Sequence, residues 1–228
     1  MSLTILYEDN HLIVVEKPVN IPVQQDRSKD RDLISIVKED IKIRYDKPGN
    51  VYLALLHRLD RPVGGALVFA KTSKAASRMA NLFRKREIER TYLAVVRGTV
   101  QHKRGTLINY LRKDYRKNIV HAVHQGTKGA KKAVLHYKVL AYGKDLTLLQ
   151  VRLETGRPHQ IRVQLKEMGH VLYGDQRYGK DINKVGQQIA LWSYSLSFVH
   201  PVRKTSLHIT SLPPKRAPWN AWDLPTIL

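Results

Sequence analysis

A single carboxylate, Asp60, lies between Arg58 and Arg61, just ahead of a proline and a Gly-Gly pair. An acid held among cations stays ionised, because an opposite charge within a few ångströms lowers its pKa. That state suits a nucleophile, or an anion that stabilises a developing positive centre, and it does not suit a general acid. Taken alone, the segment fits a structural role equally well, since an aspartate before a turn often caps the turn with its side chain.

A second motif, Glu154–Gln164, places two arginines at the start of a predicted helix. Arg157 stands at the mouth of this helix beside Pro158, and Arg162 follows the apolar Ile161. The amino terminus of a helix with an arginine beside it binds anions readily. A contact to an RNA backbone or a surface salt bridge would also explain arginines at these positions.

A third motif, Arg90–Gly98, is typical of a strand. In it Tyr92 takes the opposite face from Thr91 and Leu93, because successive side chains of a strand alternate between its faces. A lone tyrosine on a strand fits a protein core as well as it fits a catalytic site.

The elements that position these motifs are short strands and a few helices. Apolar spacing predicts a helix over Leu33–Tyr45, a second that begins at Thr72 or Ser73, and a third between Pro158 and Gly169. The buried face of the second helix is predicted to carry Ala76, Met79, Ala80 and Phe83. Strands are predicted at Thr4–Tyr7, Leu12–Glu16, Val51–Leu56, Ala66–Ala70, Thr91–Val96, Val134–Leu140, Leu146–Leu153, Ile189–Val199 and Thr205–Ile209. The absence of regular βαβ alternation indicates the α+β class.

Composition points to a polyanionic partner. Forty lysines and arginines against nineteen acids give a formal charge of +21, and neutralised phosphates release counterions on binding. The most basic stretch is an arm at about 101–132, where cations alternate with Tyr110 and Tyr115, as suits RNA. A membrane partner is not expected, because no basic amphipathic helix is evident.

Cysteine is absent, which excludes disulfides, thiolate catalysis and the usual structural zinc sites. The amino terminus turns acidic at Glu8 and Asp9 and does not resemble a signal peptide, so a cytoplasmic location is expected.

Together the motifs resemble the RluA-type family of RNA pseudouridine synthases over nearly the whole chain. Ile5–Asn10 through Val15–Pro18 is similar to that family's first motif, and His57–Asp60 to its catalytic motif. Arg90–Ala94 is similar to its tyrosine strand and Thr155–Arg162 to its arginine motif. His200-Pro201 is similar to its closing segment. Two departures are Val63-Gly64-Gly65, where the family usually has Thr-Ser-Gly or a relative, and Gln164, where it often has histidine.

The resemblance implies the family's catalytic-domain fold, a mixed, mainly antiparallel central sheet with flanking helices. It implies one domain over residues 1–228, with the basic RNA-binding arm at about 101–132 and no separate N-terminal RNA-binding domain. The implied activity is isomerisation of specific uridines in structured ribosomal or transfer RNA. No metal or cofactor is needed, no obligate protein partner is implied, and a monomer is the default.

The resemblance also assigns roles to residues. Asp60 is the essential carboxylate, and attack on the base and attack on the ribose are both compatible with the sequence. Arg162 pairs with Asp60, Tyr92 stacks on the target base and relays a proton, and Arg58 replaces the flipped uridine in the RNA stack. The remaining predicted substrate-binding residues are Arg61, Arg157, His159 and Gln160.

Two alternatives are weighed against this reading. An RNA-binding module without catalysis explains the charge, but it does not explain an acid inside a cationic cluster. A glycosidase needs two carboxylates flanking one bond, and Glu154 and Asp175 are the nearest candidates for the second.

Overall fold

The structure, a computed structural model, describes residues 3–26 and 28–228. The chain divides into two compact units. The first unit contains the chain up to Arg90 together with Ser193–Leu212, and the second contains Thr91–Trp192 and Pro213–Leu228. That residues 1–228 act as a single domain stays a prediction.

Strands dominate the chain order. They are β1 (Thr4–Glu8), β2 (Leu12–Lys17), β3 (Ala54–Leu55), β4 (Gly64–Ala70), β5 (Glu89–Arg97), β6 (Arg104–Asp114), β7 (Ile119–Val123), β8 (Lys131–Gly143), β9 (Leu146–Leu153), β10 (Leu191–Val199) and β11 (Ser206–Thr210). The helices are α1 (Leu33–Arg44), α2 (Ser73–Lys85), α3 (Gln160–Glu167) and α4 (Leu224–Ile227), with a 3-10 turn at Trp219–Ala221.

The first unit is built around β2 and β4, which pair antiparallel from Leu12 opposite Ala70 to Lys17 opposite Gly65. β1 adds antiparallel to β2, and β11 to β10. All seven residues of β4 are buried, as expected for a strand covered on both faces. The core combines small and branched apolar side chains of these strands with Ala75 and Met79 of α2.

The second unit is an antiparallel sheet in the order β5, β9, β8, β6, β7. Along most of β6, exposed residues alternate with less exposed ones, so one face of this strand carries apolar side chains and the other meets solvent. The apolar face packs against α3, with Leu111, Val120 and Ala133 of the strands around Val163 and Tyr178.

The predicted α+β class with mainly antiparallel strands and flanking helices is confirmed. Helix α2 begins after Thr72, whose hydroxyl accepts a hydrogen bond from the N–H of Ala75. One prediction about its buried face is wrong: Ala80 is exposed, and Ala75 is the buried alanine with Met79. Helix α3 begins at Gln160, two residues after Pro158, because His159 takes a left-handed conformation with φ of 51°.

The predicted strand Val51–Leu56 contracts to Ala54–Leu55. Its pairing with β4 ends at Leu55 opposite Phe69. The next N–H of β4, that of Val68, donates instead to the Nε2 atom of His57 at 3.3 Å. The His57 side chain therefore replaces the next backbone hydrogen bond between β3 and β4, and the chain leaves the sheet before it reaches Asp60.

Candidate active site

Asp60 opens a tight turn between β3 and β4. Its carbonyl accepts a hydrogen bond from the N–H of Val63 at 2.9 Å, which closes a four-residue turn. Leu59 and Val63, on either side, are 7% and 2% exposed, while Asp60 itself is only half-buried. Burial of Leu59 and Val63 fixes the turn, while Asp60 keeps part of its surface exposed.

Lys17 holds this turn from inside the first unit, and the sequence analysis missed it. Its side chain is fully buried, and its Nζ donates to the carbonyls of Pro18, Arg61 and Val63 at 2.9, 2.9 and 2.7 Å. Burial disfavours the ammonium form and lowers the Lys17 pKa to about 7, although the negative charge of Asp60 opposes that shift. The available signal was a lysine that directly follows an apolar strand.

The glycine pair after the turn serves close packing. Gly65 has φ of +111°, and a Cβ there would lie 2.3 Å from the backbone oxygen of Ser193. Only glycine fits such a close approach of two backbones. Val63, at the place where the family usually has a hydroxyl residue, contributes its carbonyl to Lys17 and a buried side chain.

His57 and Arg58 precede Asp60 and differ in environment. The His57 ring stacks near Phe83 with centroids 5.1 Å apart, and its Nε2 accepts the Val68 N–H. Burial, reinforced by the charge of Arg90, lowers the His57 pKa to about 3, so this imidazole is neutral. Arg58 is exposed, as its predicted role in the RNA stack requires, and that role stays a prediction.

Arg61 turns toward the loop at residues 20–30. Its guanidinium donates to the carbonyl of Asn20 at 3.1 Å and to the Ser28 hydroxyl at 3.0 Å, and it forms an ion pair with Asp30. These contacts hold Arg61 at the surface, where its side chain is 42% exposed.

The arginine motif forms a compact loop before α3 in the second unit. Arg157 is half-buried, and its Nε donates to the carbonyl of Lys132 at 2.9 Å. The Nδ1 atom of His159 lies 2.6 Å from the hydroxyl of Tyr178. Because that hydroxyl also accepts the N–H of Val120 at 2.9 Å, His159 is connected to the strand β7.

Gln160, predicted to bind substrate, is 3% exposed. Its Oε1 accepts from the Thr155 hydroxyl and the Arg157 N–H at 2.8 and 2.9 Å. Its Nε2 donates to the Val134 carbonyl and to Gln164. These bonds use the amide to tie the arginine loop to the sheet, so Gln160 positions Arg157 and offers little surface to a ligand.

Arg162 is buried on α3 and forms a two-point ion pair with Asp175. Its Nε donates to Oδ2 at 2.8 Å and its Nη2 to Oδ1 at 2.7 Å. Burial alone would raise the pKa of Asp175, but the bonds from Arg162 and from the N–H groups of Tyr178 and Arg177 outweigh burial and lower it. The sequence analysis considered Asp175 only as a second acid, and the predicted pairing of Arg162 with Asp60 stays a prediction.

Tyr92 lies on β5 and is 5% exposed. It stands opposite Val151 of β9, which in turn stands opposite Tyr137 of β8. Directly opposed residues of antiparallel strands share a face, so Tyr92 lies on the face of the sheet that α3 covers. Its side chain is therefore buried on that face, and its predicted contact with a base stays a prediction.

Within residues 3–26 and 28–228, no three histidine, aspartate or glutamate side chains lie together in a way that could hold a metal ion. No helix in these ranges is long and apolar enough to cross a bilayer.

Comparison with known proteins was made against family models, curated sequences and solved structures. The model of the RNA pseudouridylate synthase family matches residues 11–167. The uncharacterized RNA pseudouridine synthase YhcT of Bacillus subtilis is 33% identical over 211 residues, which cover 88% of this chain and 65% of that protein. Ribosomal large subunit pseudouridine synthase D of Zymomonas mobilis is 32% identical, with coverages of 89% and 66%.

The fold has solved counterparts. Human RNA pseudouridylate synthase domain containing 4 aligns with a TM-score of 0.78 at 22% identity, covering 93% of this chain and 89% of that one. The chain spans slightly less than two thirds of the two curated relatives named above. Since the family model covers more than half of the chain and includes the positions of Asp60, Tyr92 and Arg162, the chain belongs to the RNA pseudouridylate synthase family, in its RluA-type branch.

Proposed function

We propose that this chain isomerises specific uridines in structured RNA to pseudouridine. In this reaction the bond between the ribose and N1 of uracil breaks, the base turns, and a bond from the ribose to C5 forms, while C5 loses a proton to solvent and N1 gains one. Ribosomal RNA is the first candidate substrate, because the Zymomonas mobilis relative is named a ribosomal large subunit enzyme, and transfer RNA is the alternative. We expect a cytoplasmic monomer without an obligate protein partner or cofactor.

The observation that carries the proposal is the construction of the Asp60 turn. A buried ammonium, Lys17, holds two carbonyls of this turn, those of Arg61 and Val63, and the side chains of Leu59 and Val63 are buried. Catalytic groups need such preorganisation, because a carboxylate that must find its place during the reaction loses the advantage of proximity. A plain surface turn would not need an internal charge to define it.

We assign the chemistry to three residues. Asp60 is the essential carboxylate, Tyr92 stacks on the target base and relays a proton, and Arg162 orients the carboxylate. The ion pair of Arg162 with Asp175 supports this role, because it keeps the guanidinium in one orientation on α3.

RNA contacts are assigned to exposed or half-exposed cations. Arg58 fills the gap left by the target uridine, which must leave the stack at a cost of a few kcal/mol. Arg61, Arg157 and His159 contact the surrounding backbone, and the basic arm at about 101–132 adds phosphate contacts elsewhere on the RNA. Gln160 acts in this proposal by supporting Arg157.

The test is tritium release from RNA that carries tritium at C5 of uridine. Wild type is expected to release tritium from ribosomal or transfer RNA, and Asp60→Asn, which keeps the size of the side chain, is expected to release none. Asp181→Asn, at an exposed position of the second unit, is the matched control and should keep wild-type release. Full activity of Asp60→Asn would remove Asp60 from the mechanism.

Tritium release separates the proposed reaction from an RNA-binding module, and the environment of the candidate second acids argues against a glycosidase. An RNA-binding module would bind RNA and release no tritium on any cellular RNA. A glycosidase would need a second acid with a raised pKa, whereas the pKa of Asp175 is lowered and Glu154 pairs with His136 at 3.4 Å.

A further inference from the structure

The sheet of the second unit has two faces of opposite character, and the register defines them. Arg104 stands opposite Lys138, and Tyr110 stands opposite Lys132. On the neighbouring strands Arg112 stands opposite His121 and His136 opposite Arg152. Opposed residues share a face. We call this face the back face; its members include Arg104, Tyr110, Arg112, Lys132, Lys138 and Arg152.

The other face of the same strands packs against the rest of the second unit. Leu111, Val120 and Ala133 pack there against α3, and Gln164 of α3 donates to Asn109 at 2.8 Å. Tyr92 also belongs to that face by register. The back face therefore points away from the side of the unit that carries Arg162.

The back face is rich in cations, and these cations are exposed, whereas Val134 and Thr91 on the same face are buried. Its five lysines and arginines named above are all exposed, and Tyr110 is half-exposed. Ile108, in the middle of β6, is 56% exposed. Acids lie only at its margin among the described residues: Asp114 caps the N–H groups of Arg116 and Lys117, and Glu154 pairs with His136.

The arrangement costs the protein stability when it is alone. Like charges directly opposite each other on neighbouring strands repel, since their Cβ atoms lie only about 5 Å apart. Arg104 and Lys138 form such a pair, and no described side chain neutralises either of them. A polyanion laid along the face would remove the repulsion, because its phosphates would sit between the paired cations.

We propose that the back face is a second RNA-contact surface, which binds a part of the substrate RNA distant from the reacting uridine. This inference rests on the proposed function for the identity of the RNA. Phosphates take the cations, and the rings of Tyr110 and His121, each opposite a cation, offer surfaces on which unpaired bases stack. An acidic protein would match the charge but would leave the interleaved rings without a role.

The test compares two triple variants of the full chain that remove the same charge. The back-face variant is Arg104→Gln, Lys138→Gln, Arg152→Gln. The control is Lys166→Gln, Lys180→Gln, Lys184→Gln, at exposed positions of the same unit outside the back face. Binding to purified ribosomal RNA is measured by filter binding over a series of salt concentrations, with tritium release measured in parallel.

The back-face variant is expected to bind about tenfold or more weakly, and the slope of log affinity against log salt is expected to fall by about two to three, one for each lost phosphate contact. The control should change affinity by less than about threefold, because its charges act only at long range. At saturating RNA, the back-face variant should keep the wild-type rate of tritium release. Its thermal midpoint should not fall, since a repulsion is removed.

Several outcomes would overturn the inference. If both variants weakened RNA binding equally, the effect would come from net charge and not from the back face. Unchanged binding would show that RNA does not contact this face. Loss of binding to phosphatidylserine vesicles with unchanged RNA binding would reassign the face to a membrane. If wild type released no tritium yet the back-face variant still weakened RNA binding selectively, the proposed reaction would fail while this surface stood.

Discussion

One buried cation, Lys17, holds the Asp60 turn, and another, Arg162, lies on the helix α3; the two charges are balanced in different ways. Lys17 is held by three carbonyl oxygens, which are dipoles, whereas Arg162 is held by the full charge of Asp175. An ammonium among dipoles loses its proton more readily once it is buried, while a guanidinium stays charged at any ordinary pH. The turn is therefore sensitive to pH near neutrality, and the helix is not.

The largest effect is expected from breaking the ion pair of the helix. Asp175→Ala removes the two carboxylate oxygens that accept from Arg162 and should lower the free energy of unfolding by about 3–5 kcal/mol, because a buried ion pair is broken. Chemical denaturation measures this change, with Asp181→Ala as the exposed control. The direction of the pH dependence at low pH is also defined. Folding lowers the Asp175 pKa below 3.8, so the stabilisation by Asp175 is present above that value and is lost as pH falls below it.

Two results would contradict this account. If Asp175→Ala cost less than about 1 kcal/mol, the pair would have no more weight than an exposed salt bridge. If the Asp175→Ala variant lost stability at low pH as steeply as wild type does, the acid sensitivity would belong to another group.

A smaller effect with a distinctive pH dependence is expected at Lys17. Lys17→Met keeps the volume but leaves three carbonyls without their donor, and it should cost about 2–4 kcal/mol. Thermal or chemical unfolding between pH 6 and pH 10, at about one-unit steps, measures the cost. Lys74→Met, exposed on α2, serves as the control.

The sign of the pH dependence follows from linkage. Folding lowers the Lys17 pKa from 10.5 to about 7, so between these values the unfolded chain holds a proton that the folded chain lacks. Stability of the wild type relative to Lys17→Met should then rise with pH through this window and level off above it. A difference that stays constant from pH 6 to pH 10 would show that Lys17 keeps its proton in the folded chain.

The comparison also shows which features a sequence can predict. The Thr72 cap and the apolar strands were predicted, because capping and alternation depend on neighbours in the chain. The Lys17 anchor and the pair between Arg162 and Asp175 were not, because each joins residues whose proximity depends on the tertiary fold. The same limit applies to Gln160, predicted from its motif to bind substrate: the structure shows it buried, with its Nε2 donating to the carbonyl of Val134, 26 residues away.

The smallest effect is expected at Arg61, on the outer side of the turn that Lys17 holds from within. Its partners Asp26, Ser28 and Asp30 all lie on an exposed loop, where solvent screens the charges. Arg61→Gln should therefore lower the free energy of unfolding by less than about 1 kcal/mol, as measured by chemical denaturation beside Arg31→Gln, whose ion pair with Glu39 is also exposed. A cost comparable to that of Lys17→Met would mean that the turn depends on both of its cations, and that its rigidity does not come from the buried one alone.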